Sequence, residues 1–264
     1  MGKDDYKPTP ALNHNALQKA ITKAVYKMLS FKLDKRVWIY GALSTIFMFI
    51  FMCAEPPFQE PDSFNHYYRA YQIANGHLVG TKLDANNSGG QAPVISSPFY
   101  NDTIRIAFDR TFIADKKHYS EIYTNRVNEN VKYISFPNTV VYFPISYTPQ
   151  SLSMIISNFL DLTIFQSFIL MRFFTVLFSL SILTLSLFIC PPTCRFFLLL
   201  LLSIPETNII CSSISFDAMS LCEATLSSAC LCRSIYQTEK YKKIKFLGLF
   251  SLCASLVVAS KPPY

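Results

Sequence analysis

Residues 37–54 read VWIYGALSTIFMFIFMCA and carry no charge, whereas residues 55–69 read EPPFQEPDSFNHYYR and hold four charged side chains and a histidine. The junction between these two stretches decides the fold. A hydrocarbon core about 30 Å thick takes about 20 mostly apolar residues in a helix. Only helices or closed barrels satisfy their backbone groups there, and no ten-residue alternation of the barrel kind is present. Residues 37–54 therefore predict a transmembrane helix. Thirty-six largely polar residues precede it, which argues against a cleaved signal peptide with its short apolar core near the start.

Outward from this span the pattern repeats. Thr163 to Cys190 holds one charge, Arg172, and Phe246 to Ser260 holds none. Phe196 to Cys232 is apolar but broken by Pro205-Glu206-Thr207-Asn208, as in a helical hairpin whose turn faces outward. Tyr142 to Leu160 is moderately apolar and interrupted by Pro144 and Pro149. It reads either as a span or as a helix on the outer surface. Charge chooses between them. Met1 to Val37 has eight Lys or Arg against three Asp or Glu, Arg233 to Lys245 has five against one, and Glu55 to Tyr142 has eight against nine. Basic residues gather on the cytoplasmic side of membrane proteins. Five spans with 142–160 lying outside put every basic cluster inside.

The expected class is an all-α, polytopic membrane protein with a large extracytoplasmic loop after the first span. Its parts are a basic cytoplasmic arm (1–36, with an amphipathic stretch over 16–31), the first transmembrane helix (37–54), a loop domain with short helices (55–142), a juxtamembrane helix (143–160) and a membrane domain of about four further spans (161–264). The glycine-rich 86–90 reads as a turn or flexible tip. The net charge of +7 sits beside spans and does not imply nucleic acid. The eight cysteines lie in or next to apolar segments. A disulfide framework would place them in the outer loop.

The polar set after the first span carries the candidate chemistry. Pro56, Pro57 and Pro61 restrict the backbone. Asp62 can cap a helix starting at Ser63, and His66 and Arg69 follow on about the same face. A carboxylate, an imidazole and a guanidinium at a bilayer surface suit a general base, a divalent metal site or a phosphate clamp. They equally suit an ordinary capped helix with solvated side chains. Asp217 and Glu223 are acids within an apolar segment, where ionisable groups are costly.

The stretch PPFQEPDSFNHYYRAYQIANG resembles the opening signature of the bacterial membrane-protein family known as domain of unknown function 2142. YFPISYTPQSL with the following Arg172, ISFDAMSL around Asp217, and the terminal SKPPY resemble its later motifs, in the same order. That family is similar to the type C glycosyltransferases, multi-span enzymes with a polyprenyl-phosphate sugar donor and a catalytic acid in the first outer loop. The resemblance implies catalytic roles for Asp62 and His66. Glu60, Arg69, Arg172, Asp217 and Lys261 are the candidate substrate-binding residues: Arg69 by the resemblance, Asp217 as an acid in a span, and Arg172 and Lys261 as cations near the outer surface that either meet a lipid phosphate or snorkel. Membrane lipid and a polyprenyl-phosphate sugar are the implied partners. Ser63 departs from the family, which has Glu there, and this puts a divalent metal cofactor in doubt. The implied setting is a bacterial inner membrane with a cytoplasmic N-terminus. The chain ends straight after a span, and the resemblance implies about twice as many spans, so an incomplete and inactive copy is expected. The alternative is a non-catalytic lipid-binding, flippase-like or assembly component of envelope polysaccharide export.

Overall fold

The computed structural model describes residues 35–84, 86–109 and 111–260. The amphipathic stretch expected over 16–31, and Lys261, lie outside them. Helix α1 (Lys35–Ala54) contains the first span, Val37–Ala54. Two residues in the left-handed region, Phe58 (φ 62) and Asp62 (φ 55), then turn the chain sharply into α2 (Ser63–Ala74). A bulky side chain at positive φ is an outlier that its surroundings must hold in place. Here the Phe58 ring is clamped by Phe168 at 4.5 Å and Phe64 at 4.6 Å between centroids.

Helix α2 is buried on nearly every side and forms the axis of the loop domain. Around it lie β1 (Thr81–Lys82), β2 (Ser88–Pro93), α3 (Ser97–Phe108), α4 (Lys116–Thr124), β3 (Val131–Ser135) and α5 (Pro137–Val140). The strands form an antiparallel sheet in the order β1-β2-β3, with Gly89 opposite Ser135 and Gln91 opposite Tyr133. This small sheet adds to the short helices expected of the loop. Gly89 and Gly90 belong to it and are not a flexible tip. A side chain on Gly89 would strike the Ile134 carbonyl, and one on Gly90 would strike the Gln72 side chain. Glycine is there for close approach. The turn itself is at Asp84, whose carboxylate accepts from the Asn86 and Asn87 amides at 2.8 and 2.9 Å.

After a 3-10 turn (Pro144–Tyr147), α6 (Thr148–Phe159) leads into α7 (Ile164–Ile189), which Thr163 and Gln166 open with a reciprocal capping box. Twelve residues of α6 extend about 18 Å, short of a bilayer core. Helices α8 (Pro192–Leu202) and α9 (Pro205–Ser212) are bent by 72° at Ser203 and Ile204, and α10 (Asp217–Ile235) and α11 (Lys240–Ser260) follow.

Contacts between these helices fix their directions. Arg172 on α7 holds the Met52 carbonyl at the end of α1. Arg195 on α8 donates to the Cys190 carbonyl just past the other end of α7. The Ile214 amide, after α9, returns to Glu60 beside α1's exit. The far end of α10 brings Cys232 and Arg233 back beside Cys190, and α11 brings Ser260 to within 2.9 Å of Ser220 near the start of α10. Among the described residues, α7, the bent α8–α9 pair and α10 thus run between the two ends of the bundle. The loop domain sits at one end, with Arg195 and Arg233 at the other.

Three helices are long and apolar enough to cross a membrane alone, over Val37–Ala54, Ile164–Ile189 and Lys240–Ser260, and the bent α8–α9 pair makes a fourth if taken as one span. The hairpin expected over 196–232 takes a different form. Pro205 lies partway along a broken pass, and the turn at the loop-domain end is at residues 213–216. Proline cannot continue a helix, so it bends the segment inside the bundle. Helix α10 is not one of the three helices long and apolar enough to cross alone; Asp217, Glu223 and Arg233 lie in it.

Candidate functional site

The sharp turn between α1 and α2 assembles two polar groups on opposite sides of the same backbone. On the bundle side lies Glu60. One of its oxygens accepts from Arg172 Nε at 2.7 Å and Nη2 at 2.6 Å, and the other accepts from the Ile214 amide at 3.0 Å. Arg172 spends its remaining donors on the carbonyls of Met52, Glu55 and Pro56 at 3.1, 2.5 and 3.3 Å. Neither side chain of the pair faces solvent. Burial pushes the Glu60 carboxyl above the ordinary carboxylate range even with Arg172 against it, and does the same to the half-buried Glu55.

On the loop-domain side lies Asp62. It occupies the N-cap position of α2, but at φ 55 and ψ 14 it makes no side-chain cap hydrogen bond. This corrects the expected cap. A capping side chain needs extended backbone at its own residue, and the left-handed geometry turns the carboxylate away from the helix amides. Asp62 is exposed, with Asn65 Nδ2 at the outer limit of a hydrogen bond, 3.5 Å. Its backbone carbonyl takes the His66 amide at 3.0 Å.

His66, one turn on, is buried. Its Nδ1 lies 2.7 Å from the Tyr147 hydroxyl, and its ring lies against Phe216 at 5.7 Å. Tyr147 is fully enclosed, and burial raises its phenol well above the usual range. Arg69 pulls the other way, while Tyr142, Asp217 and Asp62 raise it further. Of the expected site residues, His66 touches Tyr147, while Asp62 and Asp217 act on it through their charge. Asp217 Oδ2 accepts from Ser215 Oγ at 3.1 Å.

Arg69 is also buried. It donates to Gln72 Oε1 at 2.5 Å and to the carbonyls of Tyr142 and Leu78 at 2.9 and 3.0 Å. Burial holds its guanidinium below its usual value. Gln72 in turn donates to the Gly89 carbonyl at 3.2 Å, which ties α2 to the sheet. Both arginines therefore serve as internal cross-links here. Glu223, deeper in α10, is buried with Oε2 unpartnered. Among the described residues, no three carboxylate, imidazole or thiol groups converge to hold a metal ion.

Tyr147 was missed as an individual site residue. The signal was its place in YFPISYTPQSL, a tyrosine between two prolines.

These elements define a class: an α-helical, multi-pass membrane protein whose loop domain presents acids at one end of the bundle. The chain belongs to the predicted membrane protein family DUF2142, whose model matches residues 45–264. No curated protein and no solved structure matches it.

Proposed function

We propose that the protein transfers a sugar from a lipid-linked donor at the outer face of the membrane, with the Asp62 carboxylate as general base on the acceptor hydroxyl. The observation that carries this reading is the release of Asp62 from capping. A carboxylate on a left-handed corner, with no cap hydrogen bond to the helix amides and only the long 3.5 Å contact from Asn65 Nδ2, stands exposed where an acceptor hydroxyl can reach it. His66 donates its amide to the Asp62 carbonyl and meets Tyr147 through Nδ1, and Asp217 is assigned as a second acid. The positioning of such a base contributes about 10²–10⁴-fold to a transfer reaction.

The enclosure of Arg69 and Arg172 weighs against a donor-phosphate clamp, and the second reading is a non-catalytic lipid-binding, flippase-like or assembly component of envelope polysaccharide export. Neither guanidinium is turned outward to clamp a donor phosphate. The experiment is Asp62→Asn in the whole protein in its native membrane. Asparagine accepts the left-handed region as readily as aspartate does, so the substitution removes the charge and keeps the corner. Loss of glycan product with the protein still in the membrane supports transfer. Undiminished product supports binding alone.

A further inference from the structure

Helix α6 has its polarity reversed. Its buried face is Gln150, Ser151, Ser153, Met154 and Ser157, whereas Leu152, Ile155, Ile156 and Phe159 point outward, Phe159 with 86% of its surface exposed. These outward residues are spaced i, i+3, i+4 and i+7, one continuous stripe. A helix packed on a domain in water places its apolar stripe inward and its serines outward. The buried serines of α6 fall back on backbone carbonyls, Ser153 on Gln150 at 2.7 Å and Ser157 on Ser153 at 2.9 Å.

We propose that the outward face of α6 is immersed in the acyl chains of one membrane leaflet. Three observations choose lipid as the occupant. The whole stretch from Val141 to Leu160 has no charged side chain, and Val141, Phe143 and Ile145 extend the exposed apolar band ahead of the helix. A four-residue turn, closed by the Leu162 amide on the Ser157 carbonyl at 3.0 Å, folds α6 back onto the first half of α7, a candidate span whose own Phe173 and Leu177 are exposed. The first charge after the band, Asp161, pairs with the side chain of Arg126 at 3.7 Å with both side chains at least half exposed. That pair marks the polar boundary of the band. Helix α6 is too short to cross, so it lies along the N-terminal part of α7 at the loop-domain end of the bundle. This holds whether or not the site transfers sugars.

Tryptophan fluorescence tests it, because Trp38 is the only tryptophan in the chain. In a Trp38→Phe background, Phe159→Trp, Ile155→Trp and Leu152→Trp place a probe on the stripe, and Leu78→Trp places one on an exposed site of the loop domain. The whole protein is reconstituted in phosphatidylcholine vesicles with or without dibrominated acyl chains. The three α6 probes are expected to lose most of their emission to the brominated chains and little to aqueous acrylamide, with the Leu78→Trp probe behaving in the opposite way. Acrylamide quenching on the stripe overturns the proposal. So does protection from both quenchers, which would mean that a protein surface covers α6.

Discussion

Arg172 on α7 and Glu60, 112 residues earlier, meet at 2.6 Å with no solvent-exposed surface on the arginine. This pair joins the exit of the first span, the loop that carries Asp62 and the turn before Asp217. A buried charge stripped of its partner costs about 3–5 kcal/mol, whereas replacing both charges by uncharged groups is often close to neutral. Arg172→Met and Glu60→Gln are each expected to lower thermal stability in detergent by several kcal/mol. The double substitution should recover a good part of the loss. Arg172→Lys should fall between wild type and Arg172→Met, because an ammonium keeps a charge opposite Glu60 but cannot also reach three carbonyls as the guanidinium fork does. A stable Arg172→Met protein would show that the pair does not hold the corner.

Gly89→Ala tests the close approach in the sheet. The added methyl meets the Ile134 carbonyl, and overpacking of this kind costs about 1–3 kcal/mol. The expected readout is faster limited proteolysis between residues 80 and 136, with the membrane bundle intact. Unchanged proteolysis would argue against the β2–β3 pairing.

Much of this architecture was legible in the sequence. Charge-free runs mark α1 and α11, a single arginine marks α7, and helix α2 follows from the proline-rich turn and the spacing after Asp62. The sheet was not legible. Its first strand has two residues, and its second, SGGQAP, has no alternation because glycine is there to let Ile134 and Gln72 approach. The assignment of Arg69 and Arg172 to internal carbonyls was hidden for a related reason. A guanidinium that clamps phosphate and one that cross-links backbone look alike in sequence. Residue type favours a cap at Asp62, and only the φ angle shows that the side chain is turned away.

Asp102 and His118 give the loop domain an acid-sensitive joint. Nδ1 of His118 lies 2.8 Å from the Asp102 carboxylate, which also accepts from the Asp115 amide at 3.3 Å. The histidine contact, foremost, holds the carboxyl below its usual range. A carboxylate whose value is lowered by folding adds stability that is complete above the unfolded value, about 3.9, and is lost as pH falls through the folded value. The protection of α3 and α4 amides, taken relative to their intrinsic exchange rates, is expected to fall below about pH 4 in the wild-type protein. Asp102→Asn should be less protected at neutral pH and lack this acid limb. Identical profiles for the two proteins would remove the joint from the account.

Tyr147→Phe deletes the hydroxyl that pairs with His66. Loss of a buried partner costs about 1–3 kcal/mol. Tyr119→Phe serves as the control, since its hydroxyl meets Gln59 at 3.4 Å in a partly buried position. Chemical denaturation should show the larger loss for Tyr147→Phe. Equal losses would mean that the His66–Tyr147 contact adds nothing particular to the site.

The role proposed for the Asp62 carboxylate rests on one comparison, the rate of sugar transfer from a labelled polyprenyl-phosphate sugar in proteoliposomes containing the whole protein, Asp62→Asn against wild type. The expected fall is about 10²–10⁴-fold, with helix content and melting temperature unchanged. An Asp62→Asn protein that transfers sugar at the wild-type rate would contradict it.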